Sequence, residues 1–201
     1  MIWESRYWKK DILEIADKLE KRINQKKWFD SSNANAEKEI MISAFMVRKL
    51  FESKKIDDAI EQKTITIFRY PSNGKKISLL RRLSPERFFD LEKPNKSKLT
   101  VKDLYNNIIH SYIFLLNIVD GEFKYFWVAS DWNKFKFMLQ IEVKDYITIL
   151  REVGNYWPKA EGYFYDERKA DYIVIRNDKK LEQYFNIIGH QEHISKTKTK
   201  K

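Results

Sequence analysis

Glu142 and Lys144, with Val143 between them, stand at the end of a stretch, Phe135 to Val143, that alternates apolar and polar residues. At a strand's period of two, Phe135, Phe137, Leu139, Ile141 and Val143 share one face. Lys136, Met138, Gln140, Glu142 and Lys144 take the other, which sets the Glu142 carboxylate beside the Lys144 ammonium. Carboxylates suit a hard cation that keeps several waters. The plainer reading of the same pair is a same-face ion pair on a solvated strand, worth roughly 0.2–1 kcal/mol.

Other groups invite different chemistry. Lys75, Lys76, Arg81, Arg82 and Arg87 crowd a segment flanked by Pro71 and Gly74, and are the residues expected to contact phosphates. Phe123-Lys124-Tyr125-Phe126-Trp127 interleaves aromatics with a lysine as a base-stacking sheet would. Alternation puts Phe123, Tyr125 and Trp127 on one face, where core packing is the competing use. His110 reads as a half-buried histidine, hydrogen-bonded where a helix yields to a strand. His190 and His193 have metal-ligand spacing but no third ligand in view, and read as part of a polar tail.

These residues depend on the elements that hold them. Asp120-Gly121 joins the apolar run Tyr112–Val119 to the aromatic run Phe123–Ala129. Asp-Gly between such runs signals a hairpin, because a type I′ turn needs positive φ at both central residues. With Phe135–Val143 this makes a three-stranded antiparallel meander, followed by a helix over Asp145–Val153 closed by Gly154. Upstream, Trp8, Ile12, Ile15, Ala16, Leu19 and Ile23 recur at helical spacing. Ala36, Ile40, Ala44, Val47, Leu50 and Phe51 repeat the pattern, which predicts a helical hairpin. Thr64–Tyr70 reads as a strand, and residues 75–100 as the least ordered part. Thr100 caps a helix to about Ile109. Tyr156 to Tyr165 reads as an aromatic connector, Tyr172–Ile175 as a strand and Leu181–Ile188 as a last helix capped by Asp178. The expected fold is α+β: a helical hairpin (residues 1–60) packed on a mainly antiparallel sheet domain (61–190), with further helices toward the C-terminus and a basic tail (191–201).

The order helix, three antiparallel strands, helix, strand over residues 100–176, with Glu142-Val143-Lys144 at the third strand, resembles the core of the PD-(D/E)xK nucleases. The resemblance implies Mg²⁺ held by Glu142 and an upstream acid, Asp131 or Asp120, with Lys144 orienting or polarising the attacking water. Asp131, Glu142 and Lys144 are then the catalytic set, and Asp131 and Glu142 the metal ligands. Neither aspartate follows a proline, as the family's does. Asn106 and His110 resemble the polar residue and histidine of the HEPN ribonuclease motif, with Tyr105 in place of its arginine.

The chain has 39 Lys+Arg against 29 Asp+Glu, a formal charge of +10, and no cysteine. Disulfides, zinc–thiolate centres and thiol nucleophiles are thereby excluded. A P-loop and a serine triad have no sequence support, since the five glycines are not clustered. No apolar run approaches the roughly 20 residues of a membrane span, and the N-terminus has no signal-peptide layout, so a cytoplasmic protein without a membrane partner is expected. The positive field favours polyanions. The leading expectation is a small binding protein that engages nucleic acid or a nucleoprotein partner without catalysis and without a cofactor. The Mg²⁺-dependent nuclease is the alternative. A third reading is a protein-interaction module of a toxin–antitoxin or defence pair, anchored by Trp3, Tyr7, Trp8 and Trp28.

Overall fold

The computed structural model describes residues 2–158, 161–176 and 180–186, and divides the chain into two compact units, 1–155 and 156–201. The helical hairpin and the five-stranded sheet belong to the same unit. His190, His193, Asp178, Gly189 and the basic tail lie outside the described residues.

In the first unit, α1 (Ser5–Ile23) and α2 (Asp30–Glu52) bury the stripes their spacing foretells, Ile12, Ile15, Ala16 and Leu19 on one and Ala36, Ile40, Ala44, Val47 and Leu50 on the other. A short helix, α3 (Asp58–Gln62), precedes β1 (Thr64–Pro71). After a long connector come β2 (Asn95–Thr100), α4 (Val101–Ile109), β3 (Ser111–Val119), β4 (Glu122–Ser130), β5 (Phe137–Glu142) and α5 (Val143–Asn155). All pairings are antiparallel, in the order β2-β1-β5-β4-β3. The fold is α+β, as expected.

The turn between β3 and β4 has Asp120 at φ 55° and Gly121 at φ 78°, the positive pair that the Asp-Gly signal demands. Three local expectations need correction. First, β5 stops at Glu142 and Val143 already begins α5, so Lys144 is a helical residue rather than a strand neighbour of Glu142. Second, Gly154 lies inside α5 instead of closing it. A β-carbon there would come within 2.6 Å of Leu13 Cγ, so the glycine serves the close approach of α1. Third, the pairing of β3 with β4 slips between Asn117 and Ile118, leaving Lys124 as the extra residue of a bulge. The bulge reverses the parity of β4 beyond it. Phe123 therefore faces the same side as Phe126 and Val128, opposite to Tyr125 and Trp127.

β2 was hidden in the sequence because Asn95-Lys96-Ser97-Lys98 has no apolar alternation. It is an edge strand whose lysines point to solvent, a usual defence of an open edge.

The sheet has a covering on each face. Phe126 packs edge-on against Tyr146 of α5, and Phe123 against Trp28, on the helical side. The Tyr146 hydroxyl bonds to Ser43 Oγ at 2.8 Å and donates to the Ile40 carbonyl at 3.0 Å, tying α5 to α2. The other face carries a second cluster, in which Ile77, Phe88 and Phe89 of the connector cover Tyr70, Ile113, Ala129 and Met138.

In the second unit, β6 (Gly162–Asp166) and β7 (Asp171–Ile175) form an antiparallel hairpin, with residues 180–186 helical. Tyr163, Phe164 and Tyr165 are thus strand residues and not a connector. Phe164 stacks against Tyr184, with ring centroids 4.1 Å apart.

Candidate nucleic-acid interface

Antiparallel pairing brings four chain ends to one end of the sheet. Tyr70 pairs with Met138, Val128 with Leu139 and Ser111 with Ser130. The exit of β1, the entry of β5, the exit of β4 and the entry of β3 therefore lie together, and His110 joins them as the cap residue of α4.

The connector leaves from this end and is pinned to it. Ser72 N donates to the Lys136 carbonyl at 2.9 Å, Asn73 N to the Phe88 carbonyl at 2.9 Å, and Asp90 N to the Pro71 carbonyl at 3.0 Å. Ile77, Pro85, Phe88 and Phe89 of the connector are buried. Lys75, Lys76, Arg81, Arg82 and Arg87 are all exposed. Among the described residues the first four have no ion-pair partner, and Arg87 reaches only Glu86, at 4.0 Å. Leu79, Leu80 and Leu83 are exposed between them, Leu80 at 95%. The segment is held by its ends and displays its middle.

The turn from β4 to β5 adds to this surface. Trp132 is 82% exposed, with Lys136 Nζ 5.3 Å from the centre of its ring. Lys134 lies 4.0 Å from the Tyr112 ring centre and pairs with Asp131. Asn133 Nδ2 donates to Asn107 Oδ1 at 3.0 Å, and Asn107 Nδ2 to the Asp103 carbonyl at 2.8 Å, which fastens the turn to α4. Asp131 N donates to the His110 carbonyl at 2.9 Å. A cleft of about 440 Å³ opens between α4 and this turn, lined by Asn106, His110, Asp131 and Trp132 among others.

His110 is exposed rather than half-buried. Its Nε2 lies 3.2 Å from Arg48 Nη1. A guanidinium can only donate, so this imidazole nitrogen accepts and the proton sits on Nδ1. Tyr105 is buried, and its hydroxyl donates to Glu61. Burial, then that bond, raises the phenol well above the ordinary tyrosine value. A cation does stand beside the histidine, but it is Arg48 of α2, itself paired with Glu52 at 2.6 Å.

The opposite end of the sheet holds the remaining candidates. Glu142 accepts from Gln140 Nε2 at 2.9 Å, and Gln140 Oε1 accepts from Tyr70 Oη at 2.6 Å and Trp127 Nε1 at 3.4 Å. Desolvation, followed by the Glu142 charge, raises the Tyr125 phenol above its ordinary value. Lys124 bridges Asp120 at 3.9 Å and Glu122 at 4.0 Å. Glu142 and Lys144 form no ion pair, yet both line a cleft of about 430 Å³ with Glu20, Glu122 and Lys124.

The structure does not bring Asp131 to Glu142. Glu142 pairs with Tyr125, and Ser130, the residue before Asp131, is five residues further along β4. At about 3.4 Å per residue, roughly 17 Å of strand separates Ser130 from the position that pairs with Glu142, and Asp131 lies beyond it. Asp120 lies at the Glu142 end, but its side chain is 89% exposed and turned to Lys124. Among the described residues no three acidic or imidazole groups gather as cation ligands. Asp131 and Glu142 therefore do not stand where one cation could take both.

Trp132, Lys134, Lys136 and Arg48 were not singled out from the sequence. An aromatic inside the polar break Ser130-Asp131-Trp132-Asn133 is itself a signal, since a turn gives it no core to enter. Arg48 had none, being 62 residues from the histidine it meets. No protein-family model, no curated protein and no solved structure matches this chain.

Proposed function

We propose that this protein binds nucleic acid, or a nucleoprotein, through the end of the sheet from which the connector departs, and does so without catalysis. The observation that carries the reading is that Lys75, Lys76, Arg81 and Arg82 are exposed and without an ion-pair partner among the described residues, on a connector anchored by Ile77, Phe88 and Phe89. Cations that the fold neither pairs nor buries are available to neutralise phosphates, and the counterions so released drive association. Lys136, exposed beside Trp132, extends the positive surface to the neighbouring turn. The stretch of β4 from Tyr125 to Ser130 that keeps Asp131 from Glu142 speaks for binding over metal-assisted cleavage.

The test is fluorescence anisotropy with labelled DNA and RNA at about 50 and about 200 mM salt. Affinity is expected to fall about a hundredfold or more between the two, as for a handful of phosphate contacts. Absence of binding at the lower salt, or binding indifferent to salt, overturns the reading.

A further inference from the structure

We infer that the cleft between α4 and the β4–β5 turn receives an unstacked base of single-stranded nucleic acid, with Trp132 as the stacking platform. This rests on the nucleic-acid reading above and adds a second, chemically distinct contact to it. Trp132 is 82% exposed, and the turn that bears it is not loose. The Asn133–Asn107–Asp103 chain of hydrogen bonds fixes the turn to α4, and Lys136 N and Phe137 N both donate to the Asn133 carbonyl, at 2.8 and 3.0 Å. The backbone that presents the ring is fixed before any ligand arrives, so binding does not have to order the turn.

The surroundings suit a base and not merely an apolar side chain. Asn106 lines the cleft, and its carboxamide has no hydrogen-bond partner among the described residues. It can both donate and accept at a base edge. His110 lines it too, and with Nε2 engaged by Arg48 its Nδ1 carries a proton to donate. Lys136 lies over the indole, Arg48 lies behind His110, and Lys134 neutralises Asp131, the one acid of the lining. A phosphate next to the base would therefore meet Lys136 and no uncompensated acid. The backbone bond from Ser72 to Lys136 ties the turn to the start of the connector, so a strand contacting Lys75 and Lys76 can reach the cleft.

The test compares four ligands at low salt: a single-stranded DNA and a single-stranded RNA of about a dozen residues, an abasic strand of equal charge, and a duplex. The native protein is expected to bind the base-bearing single strands about tenfold or more tighter than the abasic strand, and tighter than the duplex at equal charge. Trp132→Ala should bring base-bearing and abasic strands to near parity, while Trp132→Phe keeps most of the preference. Equal binding of abasic and base-bearing strands, an unchanged ratio in Trp132→Ala, or a duplex bound as tightly as a single strand would each overturn the inference and leave phosphate binding intact. Failure to retain any of the four would instead defeat the nucleic-acid reading itself, and this inference with it.

Discussion

The two ends of the central sheet carry charge in different ways. On the connector that leaves the end where β4 turns toward β5, Lys75, Lys76, Arg81 and Arg82 stand exposed with no ion-pair partner among the described residues, and Trp132 of that turn is exposed too. At the other end acids and bases answer one another. Lys124 lies between Asp120 and Glu122, and Arg151 of α5 reaches Asp17 and Glu20 of α1 at 2.9 and 2.7 Å. Like charges left together repel and weaken the compact state slightly. A net charge of +10 spread evenly would say little about a site, whereas charge balanced at one end and unbalanced at the other is what the nucleic-acid proposal requires. Aromatic residues follow the same division. Phe123, near the balanced end, is fully buried against Trp28, while Trp132 stands in water.

The aromatic contrast is the one expected to show the largest effect. Phe123→Ala should destabilise the protein by about 3–5 kcal/mol, the usual cost of emptying a phenylalanine site in a packed core. Trp132→Ala should change stability by less than about 0.5 kcal/mol. Urea denaturation of the two variants checks both. A Trp132→Ala cost comparable to that of Phe123→Ala would make the turn part of the core and erase the distinction.

Reversing charge tests the ends directly. Replacing Lys75, Lys76, Arg81 and Arg82 together by glutamate should weaken nucleic-acid binding about a hundredfold or more near 100 mM salt. The thermal midpoint should move little, because none of the four has an ion-pair partner to lose among the described residues. Lys124→Glu with Lys144→Glu, at the other end, should alter affinity no more than about twofold. Anisotropy titrations side by side decide the matter, and equal losses from both ends would mean that overall charge, and not its placement, does the binding.

How far these ends were legible in the sequence follows from how local each signal is. The Asp120-Gly121 turn and the stripes of α1 and α2 depend on neighbours in sequence, and they appear as expected. The bulge at Lys124 does not, because it arises from pairing with β3. The alternation of Phe123-Lys124-Tyr125 therefore pointed Phe123 the wrong way. The direct join of β5 to α5 also escaped, since Val143 suits either state, and that one residue moves Lys144 from strand to helix. The connector cations were legible as a basic run. That they remain unpaired was not, because it depends on Ile77, Phe88 and Phe89 docking on a sheet formed from distant strands.

Alkali probes the interior that both ends share. Tyr146 is fully enclosed between α5, α2 and Phe126, and burial raises its hydroxyl far above the ordinary tyrosine value of 10.0, with Ser43 opposing only in part. The native state thus holds this proton more tightly than the unfolded chain. The stability so gained is complete below about pH 10 and is lost as pH rises toward the folded-state value. Tyr146→Phe should cost about 1 kcal/mol at neutral pH through its two lost hydrogen bonds. It should also flatten the decline of the urea midpoint above pH 10, while nucleic-acid affinity at neutral pH stays unchanged. An equally steep decline in both proteins would assign the alkaline loss to other groups.

The smallest expected effect is also the most specific. A lysine that neutralises one phosphate contributes about one unit to the slope of log affinity against log salt. Lys75→Ala should therefore reduce the slope by about one unit on duplex and single strand alike, with only a modest loss of affinity at any one salt concentration. Lys124→Ala should leave the slope as it is, because Lys124 already faces two carboxylates. The slope is a better discriminator than affinity here, since a distant charge can shift affinity through the general field without releasing a counterion. If removing Lys124 flattened the slope as much as removing Lys75, its pairing with Asp120 and Glu122 would be too weak to withhold it from phosphate. The balanced end would then be balanced only in the absence of a ligand.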